Sequence, residues 1–226
     1  MKYKQVAIII LTKNEAQGLR RIIRSVKPYS NEIIVVDGNS KDNSETIARE
    51  EKVTFMRDHG LGRGDGLRIG IKRAKADVLL FFDADGSHEA SDIPNVVTPI
   101  IKNEADIVIC SRRTGGSFDM EMNATGLIRS FGSDVLTMIV NYAFRTKLTD
   151  ILYSFRAIRR KDALKLHLQA NDFCIEQEMV VASLKHKLRL LEIPSREKAR
   201  AWGRPKLHTL TGIKFIFHLL RVIYFS

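Results

Sequence analysis

The chain has 226 residues, of which 44% are apolar, so it is long enough for one large domain with a sizeable core. Its formal net charge of +11 indicates an anionic partner: a nucleotide phosphate, an anionic lipid or a nucleic acid. The two cysteines have neither metal nor disulfide spacing, which argues against a zinc site and a disulfide framework. The first apolar run is too short for a signal peptide. No uncharged apolar stretch reaches about 18 residues, so a membrane-spanning helix is not expected.

Strands and helices alternate through the first half of the chain. Short, nearly continuous apolar runs predict strands at residues 6–11, 32–37, 53–55, 78–82 and 106–110. Apolar residues at helical spacing predict helices at residues 14–27, 40–51, 66–76 and 93–102. This alternation predicts a parallel sheet with helices on both faces.

The pattern changes after Arg112. Residues 113–123 are a predicted loop rich in Gly, Ser and Met, and residues 127–145 are a predicted amphipathic helix. Past residues 150–160, the pattern predicts a helix near 175–186, a strand near 188–193 and an apolar end at 207–225.

The stretch FFDADGSH (81–88) follows an apolar run with two carboxylates one residue apart and then a glycine. Because residues i and i+2 of a strand point to the same face, Asp83 and Asp85 are expected to leave the sheet together at its carboxyl edge, where open α/β sheets bind ligands. Two carboxylates there suit Mg²⁺ or Mn²⁺ bound together with a diphosphate. The alternative is an ordinary turn or helix cap.

Polar groups also follow the first two strands, at Thr12-Lys13-Asn14-Glu15 and at residues 37–42. Carboxylates at such positions commonly hold ribose hydroxyls or a base edge. Helix capping by Asn14 and Ser40 is the alternative. The glycine cluster at residues 59–66, with Arg63, completes no dinucleotide or phosphate-loop motif and is either a plain loop or an anion contact.

Taken in order, IIILTKNEA (8–16), IIVVDGNSKDNS (33–44), FFDADGSH (81–88) and VICSRR (108–113) resemble the family 2 glycosyltransferases of the GT-A fold. The later stretches are similar to dolichyl-phosphate mannosyltransferases and related polyprenyl-phosphate sugar transferases: LTDILYSFRAIRR (148–160), IEQEMVVASLKHKLRLLEIP (175–194) and ARAWGRPKL (199–207). The resemblance implies a GT-A catalytic domain at residues 1–206, followed by an amphipathic C-terminal segment at residues 207–226.

The resemblance also assigns roles to individual residues. Nucleotide-binding roles fall on Thr12, Asn14, Glu15, Asp37, Gly38, Asn39, Asp83, Ala84 and Asp85. The implied metal ligands are Asp83, Asp85 and Ser87, with Asp85 the more direct one and Ser87 where many mannosyltransferases have glutamine. Catalytic roles fall on Asp85, Arg112, Arg129, Arg200 and Lys206. Glu178 matches a family glutamate, and Trp202 has no assigned role.

The implied reaction is a metal-dependent, inverting transfer of a hexose, mannose from GDP-mannose, to a polyprenyl or dolichyl phosphate. A lipid phosphate is already ionised at neutral pH and needs no general base. The alternatives are a UDP-sugar donor or a sugar hydroxyl as acceptor, which needs a base such as Asp119, Glu121 or Asp150. Non-catalytic binding of a nucleotide sugar is disfavoured by the paired carboxylates and the basic segment at 200–206.

Residues 127–145 and 207–225 combine apolar and aromatic residues with flanking cations, which is typical of helices in a membrane interface. The alternatives are a core helix with a solvated basic end, or packing against another subunit. We therefore expect a cytoplasmic protein bound peripherally to the inner face of the membrane. A nucleic-acid partner is not expected, since stacking-aromatic, helix-turn-helix and zinc patterns are all missing from the sequence.

Overall fold

The computed structural model describes residues 3–117, 124–203 and 212–225. Within them, one mixed sheet contains the strands β1 (Val6–Thr12), β2 (Glu32–Asp37), β3 (Thr54–Arg57), β4 (Val78–Asp83), β5 (Ile107–Ser111), β6 (Arg156–Arg159) and β7 (Leu190–Pro194). Their order is β3-β2-β1-β4-β6-β5-β7. All neighbouring pairs are parallel except those that β6 makes with β4 and β5. The predicted α/β fold with a mainly parallel sheet is confirmed.

Helices cover both faces of the sheet. They are α1 (Ala16–Val26), α2 (Ser44–Glu50), α3 (Arg63–Arg73), α4 (Ile93–Ile101), α5 (Arg112–Gly115), α6 (Ala124–Phe144), α7 (Arg160–Lys165), α8 (Ile175–Lys185) and α9 (Gly212–Phe225). Buried residues of α1, α2 and α4 pack in the core on one face. Those of α3, α6, α7, α8 and α9 pack on the other.

The sequence of β1 explains this sandwich. All of its residues are buried, and alternate side chains enter opposite cores. Ile9 faces α3, where a Cβ added to Gly70 would lie 2.5 Å from Ile9 Cγ2, so the glycine permits close packing of helix on strand. Ile8 and Ile10 face the opposite core. A strand buried on both faces needs the continuous apolar run that the sequence has.

Three predicted boundaries differ from the structure because polar contacts determine them. Helix α2 begins at Ser44 and not at residue 40, since Asp37 accepts from Ser40 N and Asp42 accepts from Ser44 N. Helix α3 begins at Arg63, before the expected residue 66, in a turn where Gly64 N donates to Asn171 O at 2.8 Å. The short α5 occupies the start of the predicted loop 113–123, with Ser111 as its N-cap.

Helix α9 lies against α6 and α8 and shares their core. Phe215, Leu219, Val222 and Ile223 are buried there, and Gln177 Nε2 donates to Phe215 O at 2.9 Å. Among the described residues, no helix combines the length and apolar character needed to cross a bilayer.

Candidate active site

A pocket of about 300 Å³ opens at the carboxyl ends of β1, β2 and β4. Because β1 lies between β2 and β4, the strand order reverses here, and parallel α/β sheets bind ligands in such crevices. The lining comprises Leu11, Thr12, Lys13, Glu15, Val36, Gly38, Asp58, Gly60, Gly62, Arg63, Gly66, Asp83, Asp85, Phe173 and Arg200. The structure thus brings together the predicted residues Thr12, Glu15, Gly38, Asp83, Asp85 and Arg200.

Asp83 is the last residue of β4. One of its carboxylate oxygens accepts a hydrogen bond, and the other pairs with a cation. Ser154 Oγ donates to its Oδ2 at 2.8 Å, and Arg63 Nη1 lies 2.8 Å from its Oδ1. Burial alone would raise the pKa of Asp83, but Arg63, the nearby His88 and the hydrogen bond from Ser154 together more than offset this effect, so the pKa falls to about 2. The carboxylate is therefore ionised at neutral pH.

A closed ring of hydrogen bonds orients this carboxylate. Asp83 N donates to His88 Nδ1 at 3.2 Å, so the ring proton is assigned to Nε2. His88 Nε2 lies 3.2 Å from Ser154 Oγ, to which it donates while the hydroxyl donates to Asp83. Burial lowers the pKa of His88 despite the nearby Asp83 and Asp85, which keeps the imidazole neutral, and Phe155 stacks on it at 4.8 Å. The histidine thus positions Asp83 through Ser154.

Arg63 joins the first carboxylate to a second, deeper one. Its Nε donates to Glu176 at the start of α8, and its guanidinium carbon lies 5.8 Å from the centre of the Phe173 ring. Although burial lowers the pKa of a guanidinium, the carboxylates of Asp83 and Glu176 raise that of Arg63 above its ordinary value. Burial raises the pKa of Glu176. Arg63 therefore remains a cation at the floor of the pocket.

Asp85 faces the opposite side of the pocket mouth. Its Oδ1 accepts from Ser87 N at 2.9 Å and from Ser87 Oγ at 2.7 Å, so the serine fixes the carboxylate plane. Its Oδ2 lies 2.8 Å from Arg200 Nη1, which is also 3.6 Å from Glu15 Oε1. A positive group therefore occupies the space between Asp85 and Glu15.

This donor set fits a divalent ion that is shared with a diphosphate. Mg²⁺ is usually bound by one or two carboxylates, water and substrate phosphates, and Mn²⁺ also prefers oxygen ligands. Asp83 and Asp85 supply such oxygens at the pocket. In the described part of the chain, no cluster of three or more His, Cys, Asp or Glu side chains has the geometry of a metal site. These residues therefore do not surround a metal ion completely. Asp83 and Asp85 can provide some of its ligands, and a bound diphosphate would have to provide others.

The first two loops are braced against each other. Ser40 Oγ accepts from Asn14 N at 2.8 Å, and Asn14 Oδ1 accepts from Lys41 N at 2.9 Å. Asn14 and Asn39 have φ values of 55° and 58°, a left-handed conformation that asparagine tolerates better than most residues. Asp37 is buried and accepts from the Ser40 backbone and hydroxyl. The alternative of helix capping by Asn14 and Ser40 is wrong: the N-cap positions of α1 and α2 are Glu15 and Asn43, and the contacts of Asn14 and Ser40 join the two loops to each other.

Comparison with known proteins identifies the family. The model of "Glycosyl transferase family 2" matches residues 7–166. The chain belongs to this family. An uncharacterized protein of Methanocaldococcus jannaschii is 29% identical over 96% of this chain and 91% of its own length. The UDP-N-acetylglucosamine–dolichyl-phosphate N-acetylglucosaminyltransferase of Methanococcus voltae is 25% identical over 97% of this chain and 96% of its own.

The fold of this glycosyltransferase is also that of solved structures. Glucosyl-3-phosphoglycerate synthase from Mycobacterium tuberculosis, solved with Mn²⁺, uridine diphosphate and phosphoglyceric acid, superposes with a TM-score of 0.77. The match covers 99% of this chain and 80% of the other, at 16% identity. The GT-A fold expected from the resemblance is therefore confirmed.

Other predicted residues of the glycosyltransferase lie beside the pocket or away from it. Arg112 donates from Nε to the buried Asp150 at 2.7 Å and lies over the Tyr153 ring, so its guanidinium is already paired within the protein. Arg129 is exposed near the start of α6. Glu178 accepts from Gln169 N and Ala170 N, which is a structural role. Lys206, Asp119 and Glu121 lie outside the described residues.

Several residues of the site were not assigned from the sequence. For Arg63 the sequence allows either a plain loop or an anion contact, and the structure places it on the pocket floor. His88 is part of the FFDADGSH stretch. Its short distance from Asp83 in the sequence was the one indication that the two residues could interact. Glu176 was overlooked in favour of Glu178, although both lie in the first turn of α8. Ser154 carried no local signal, because only the tertiary fold brings it to Asp83.

Proposed function

We propose that the protein transfers a sugar from a nucleotide diphosphate sugar to a polyprenyl phosphate, with inversion at the anomeric carbon. The observation that carries the proposal is the pocket at the switch point of the sheet, where Asp83 and Asp85 meet the cations Arg63 and Arg200. The Methanococcus voltae relative, named for a dolichyl-phosphate acceptor and matching over nearly the whole chain, supports the acceptor class.

In the proposed reaction an oxygen of the lipid phosphate attacks the anomeric carbon while the bond from that carbon to the diphosphate oxygen breaks. The bonding electrons leave with the nucleoside diphosphate. Arg200 and Lys206 are the proposed partners of the growing negative charge, since fixed cations stabilise charge where it develops. Arg112, Arg113 and Arg129 are the proposed contacts of the acceptor, because guanidinium groups match phosphate oxygens.

A divalent ion is the proposed cofactor, held on Asp83 and Asp85 with Ser87 beside them. When bound, such an ion acts as a Lewis acid for the departing diphosphate. The proposal is supported by the donor set described above and by the Mn²⁺ and Mg²⁺ complexes of the Mycobacterium tuberculosis enzyme with uridine diphosphate. Ser87 donates to Asp85, so its proposed part is to orient that ligand.

Asp150 is the one candidate base for a hydroxyl acceptor that lies within the described residues, and its environment argues against that role. A hydroxyl acceptor needs a general base that reaches the pocket. Asp150 is fully buried and ion-paired with Arg112, and Arg112 contributes to keeping its pKa low although burial opposes this. Glu176 is ion-paired with Arg63 below the pocket surface. Neither carboxylate is available to take a proton from an acceptor at the pocket mouth.

Two donors are to be distinguished. GDP-mannose is the donor that the resemblance to dolichyl-phosphate mannosyltransferases implies. A UDP-sugar is the second candidate, supported by the name of the Methanococcus voltae relative and by uridine diphosphate in the solved structure. Asp58 also lines the pocket, and its carboxylate accepts from Gly60 N at 2.8 Å.

We further propose that the protein works at the cytoplasmic face of a membrane, where the lipid acceptor resides. Helix α6 exposes Phe131, Met138 and Tyr142, which share one helical face. Helix α9, packed against it, exposes Ile213, Phe217 and Tyr224. Apolar stripes on adjacent helices of a protein with a net charge of +11 suit an anionic bilayer surface.

The decisive experiment incubates the protein with Mn²⁺, a short polyprenyl phosphate and GDP-mannose, UDP-glucose or UDP-N-acetylglucosamine, and weighs the lipid product. One donor is expected to give a glycolipid. Asp85→Asn is expected to lower the transfer rate by about 10²- to 10³-fold, the range for removing one stabilising group. Asp77→Asn, at an exposed position just before β4 on the opposite edge of the sheet, is the matched control and should keep the rate. No product with any donor, or equal rates in the two variants, contradicts the proposal.

A further inference from the structure

The segment at residues 198–203 crosses directly over the turn that carries the paired carboxylates. Lys198 N donates to Ser87 O and Ala201 N donates to Asp85 O, both at 2.9 Å. The segment is thus tied by its backbone to the strand end where a divalent ion is proposed. The side chain of Arg200 lines the pocket, and the side chain of Trp202 packs against α1.

Trp202 is seated in a slot made by two glycines. A Cβ added to Gly18 would lie 1.7 Å from Trp202 Cε2, and one added to Gly86 would lie 3.1 Å from its Cη2. The indole Nε1 donates to Ala84 O, between the two carboxylates in the chain. Gly18 lies inside α1, where glycine is a poor helix former, so its presence needs a packing reason, and the indole supplies one.

The guanidinium two residues before the indole lies between two carboxylates. Arg200 Nη1 lies 2.8 Å from Asp85 Oδ2 and 3.6 Å from Glu15 Oε1, while a Cβ added to Gly203 would lie 3.3 Å from the same Glu15 oxygen. Ordering a free arginine side chain costs rotamer entropy. A backbone anchored on both sides of Arg200 limits the volume in which the guanidinium can move.

We propose that Trp202 is a positioning residue whose seat on Gly18 and Gly86 holds Arg200 between Asp85 and Glu15, where the guanidinium takes the place of a divalent cation until metal and donor arrive. The inference rests on the proposed function. It adds that metal and Arg200 compete for Asp85. Once the metal is bound, Arg200 is free to meet the diphosphate while the indole keeps its backbone over the pocket.

The test uses Gly18→Ala, which changes no charge and gives α1 a better helix former. Trp202 is the only tryptophan of the chain, so its emission reports the seat directly. The added methyl group is expected to expel the indole, which shifts the emission to longer wavelength and makes it accessible to acrylamide. Gly132→Ala, on α6 where an added Cβ meets nothing within 4 Å, is the matched control and should leave the emission unchanged.

Binding of Mn²⁺ alone, measured from the electron paramagnetic resonance signal of the free ion, tests the competition. Arg200→Gln is expected to bind Mn²⁺ about fivefold more tightly than the unaltered protein, the scale of a partly exposed ion pair. Gly18→Ala should match that gain, and the double variant should add nothing to it. In transfer assays Gly18→Ala should raise the donor KM more than it lowers kcat, whereas Arg200→Gln should lower kcat.

An unchanged emission in Gly18→Ala, or a shifted emission with unchanged Mn²⁺ affinity, overturns the inference. These two measurements use neither donor nor acceptor, so they separate the inference from the proposed function. If the unaltered protein transfers sugar while the Gly18 and Arg200 variants bind Mn²⁺ as it does, the inference alone is wrong. If Mn²⁺ affinity responds as expected but no donor is turned over, the proposed function alone is wrong.

Discussion

Asp83 illustrates how much of a carboxylate's behaviour is decided by its neighbours. The residue was identified from its place at the end of a strand, yet its orientation depends on His88 and Ser154, and its charge state on Arg63. A buried aspartate without these partners would have a raised pKa. The contacts turn it into a carboxylate that is ionised and fixed before any ligand arrives, which is the preorganisation that the proposed metal site requires.

The ring of hydrogen bonds around Asp83 is predicted to stabilise the fold. Ser154→Ala removes the acceptor of His88 Nε2–H and the donor to Asp83 Oδ2. Leaving a buried group unpaired costs about 1–3 kcal/mol, so the free energy of unfolding in urea should fall by that amount. The affinity for Mn²⁺ with a nucleoside diphosphate should also weaken. Ser25→Ala, whose hydroxyl donates only to Ile22 O within α1, is the control, and equal effects of the two variants would contradict the role of the ring.

Acid stability is predicted to depend on Asp106, at the amino-terminal edge of β5. Hydrogen bonds from Arg189 lower the pKa of Asp106 to about 2 from the ordinary 3.8. Because the folded-state pKa is the lower one, the contribution to stability is complete above 3.8 and is lost as the pH falls toward 2. Asp106→Asn should therefore unfold more easily at neutral pH and show a flatter decline below 3.8 in urea titrations. Exposed Glu104→Gln serves as control; a parallel decline in Asp106→Asn would refute the linkage.

For individual residues, the sequence predicted which side chains gather at the pocket, but it did not predict their hydrogen-bond and ion-pair partners. Thr12, Glu15, Asp83 and Asp85 could be placed together because the carboxyl ends of parallel strands share one edge. The pairing of Arg63 with Glu176 could not, because it joins segments far apart in the chain through the packing of α3 against the region before α8. Local periodicity carries no information about such contacts.

Element types followed from local patterns, whereas some boundaries and the position of β6 did not. The runs that became β1, β2 and β4 were recognisable because a strand buried on both faces must be apolar throughout. Strand β6 is short and antiparallel, and its buried Arg156 donates to the carbonyl groups of Ile151, Tyr153 and Glu176. A charged residue inside a strand hides the apolar signal, and only the tertiary carbonyl cluster explains it.

The exposed stripe of α9 predicts how this helix meets a bilayer. Phe217 is 70% exposed, and burying such a side chain in lipid is worth roughly 2 kcal/mol, so Phe217→Glu should weaken binding to anionic vesicles by at least about tenfold. Leu164→Glu, on α7, is the matched apolar-to-acidic control. Co-sedimentation with phosphatidylglycerol vesicles measures both variants. Equal binding of the two variants and the unaltered protein would remove this face from the proposed membrane surface.

Within the molecule as a whole, helix α9, like α6, belongs both to the proposed membrane face and to the core. Helix α9 was expected to form a segment of its own, at residues 207–226, and that boundary remains a prediction. In the structure its inner side chains belong to the same core as α3 and α8, and Lys214 pairs with Asp172 in the segment that leads into α8. Phe173, which follows Asp172 in the chain, lines the pocket, so few residues separate α9 from the pocket.

The two faces of α9 have different roles: one packs in the core and the other is exposed. Shortening a side chain to alanine should therefore have different effects on the two faces. Leu219 is fully buried, so Leu219→Ala should lower the free energy of unfolding by about 2–5 kcal/mol, the usual cost of a core cavity. Phe217→Ala, on the exposed face, should change it by no more than about 0.5 kcal/mol while it weakens vesicle binding. Urea unfolding followed by far-ultraviolet circular dichroism measures both. If Leu219→Ala were as stable as Phe217→Ala, α9 would be an appendage, and the boundary expected at residue 206 would describe the molecule better than the common core does.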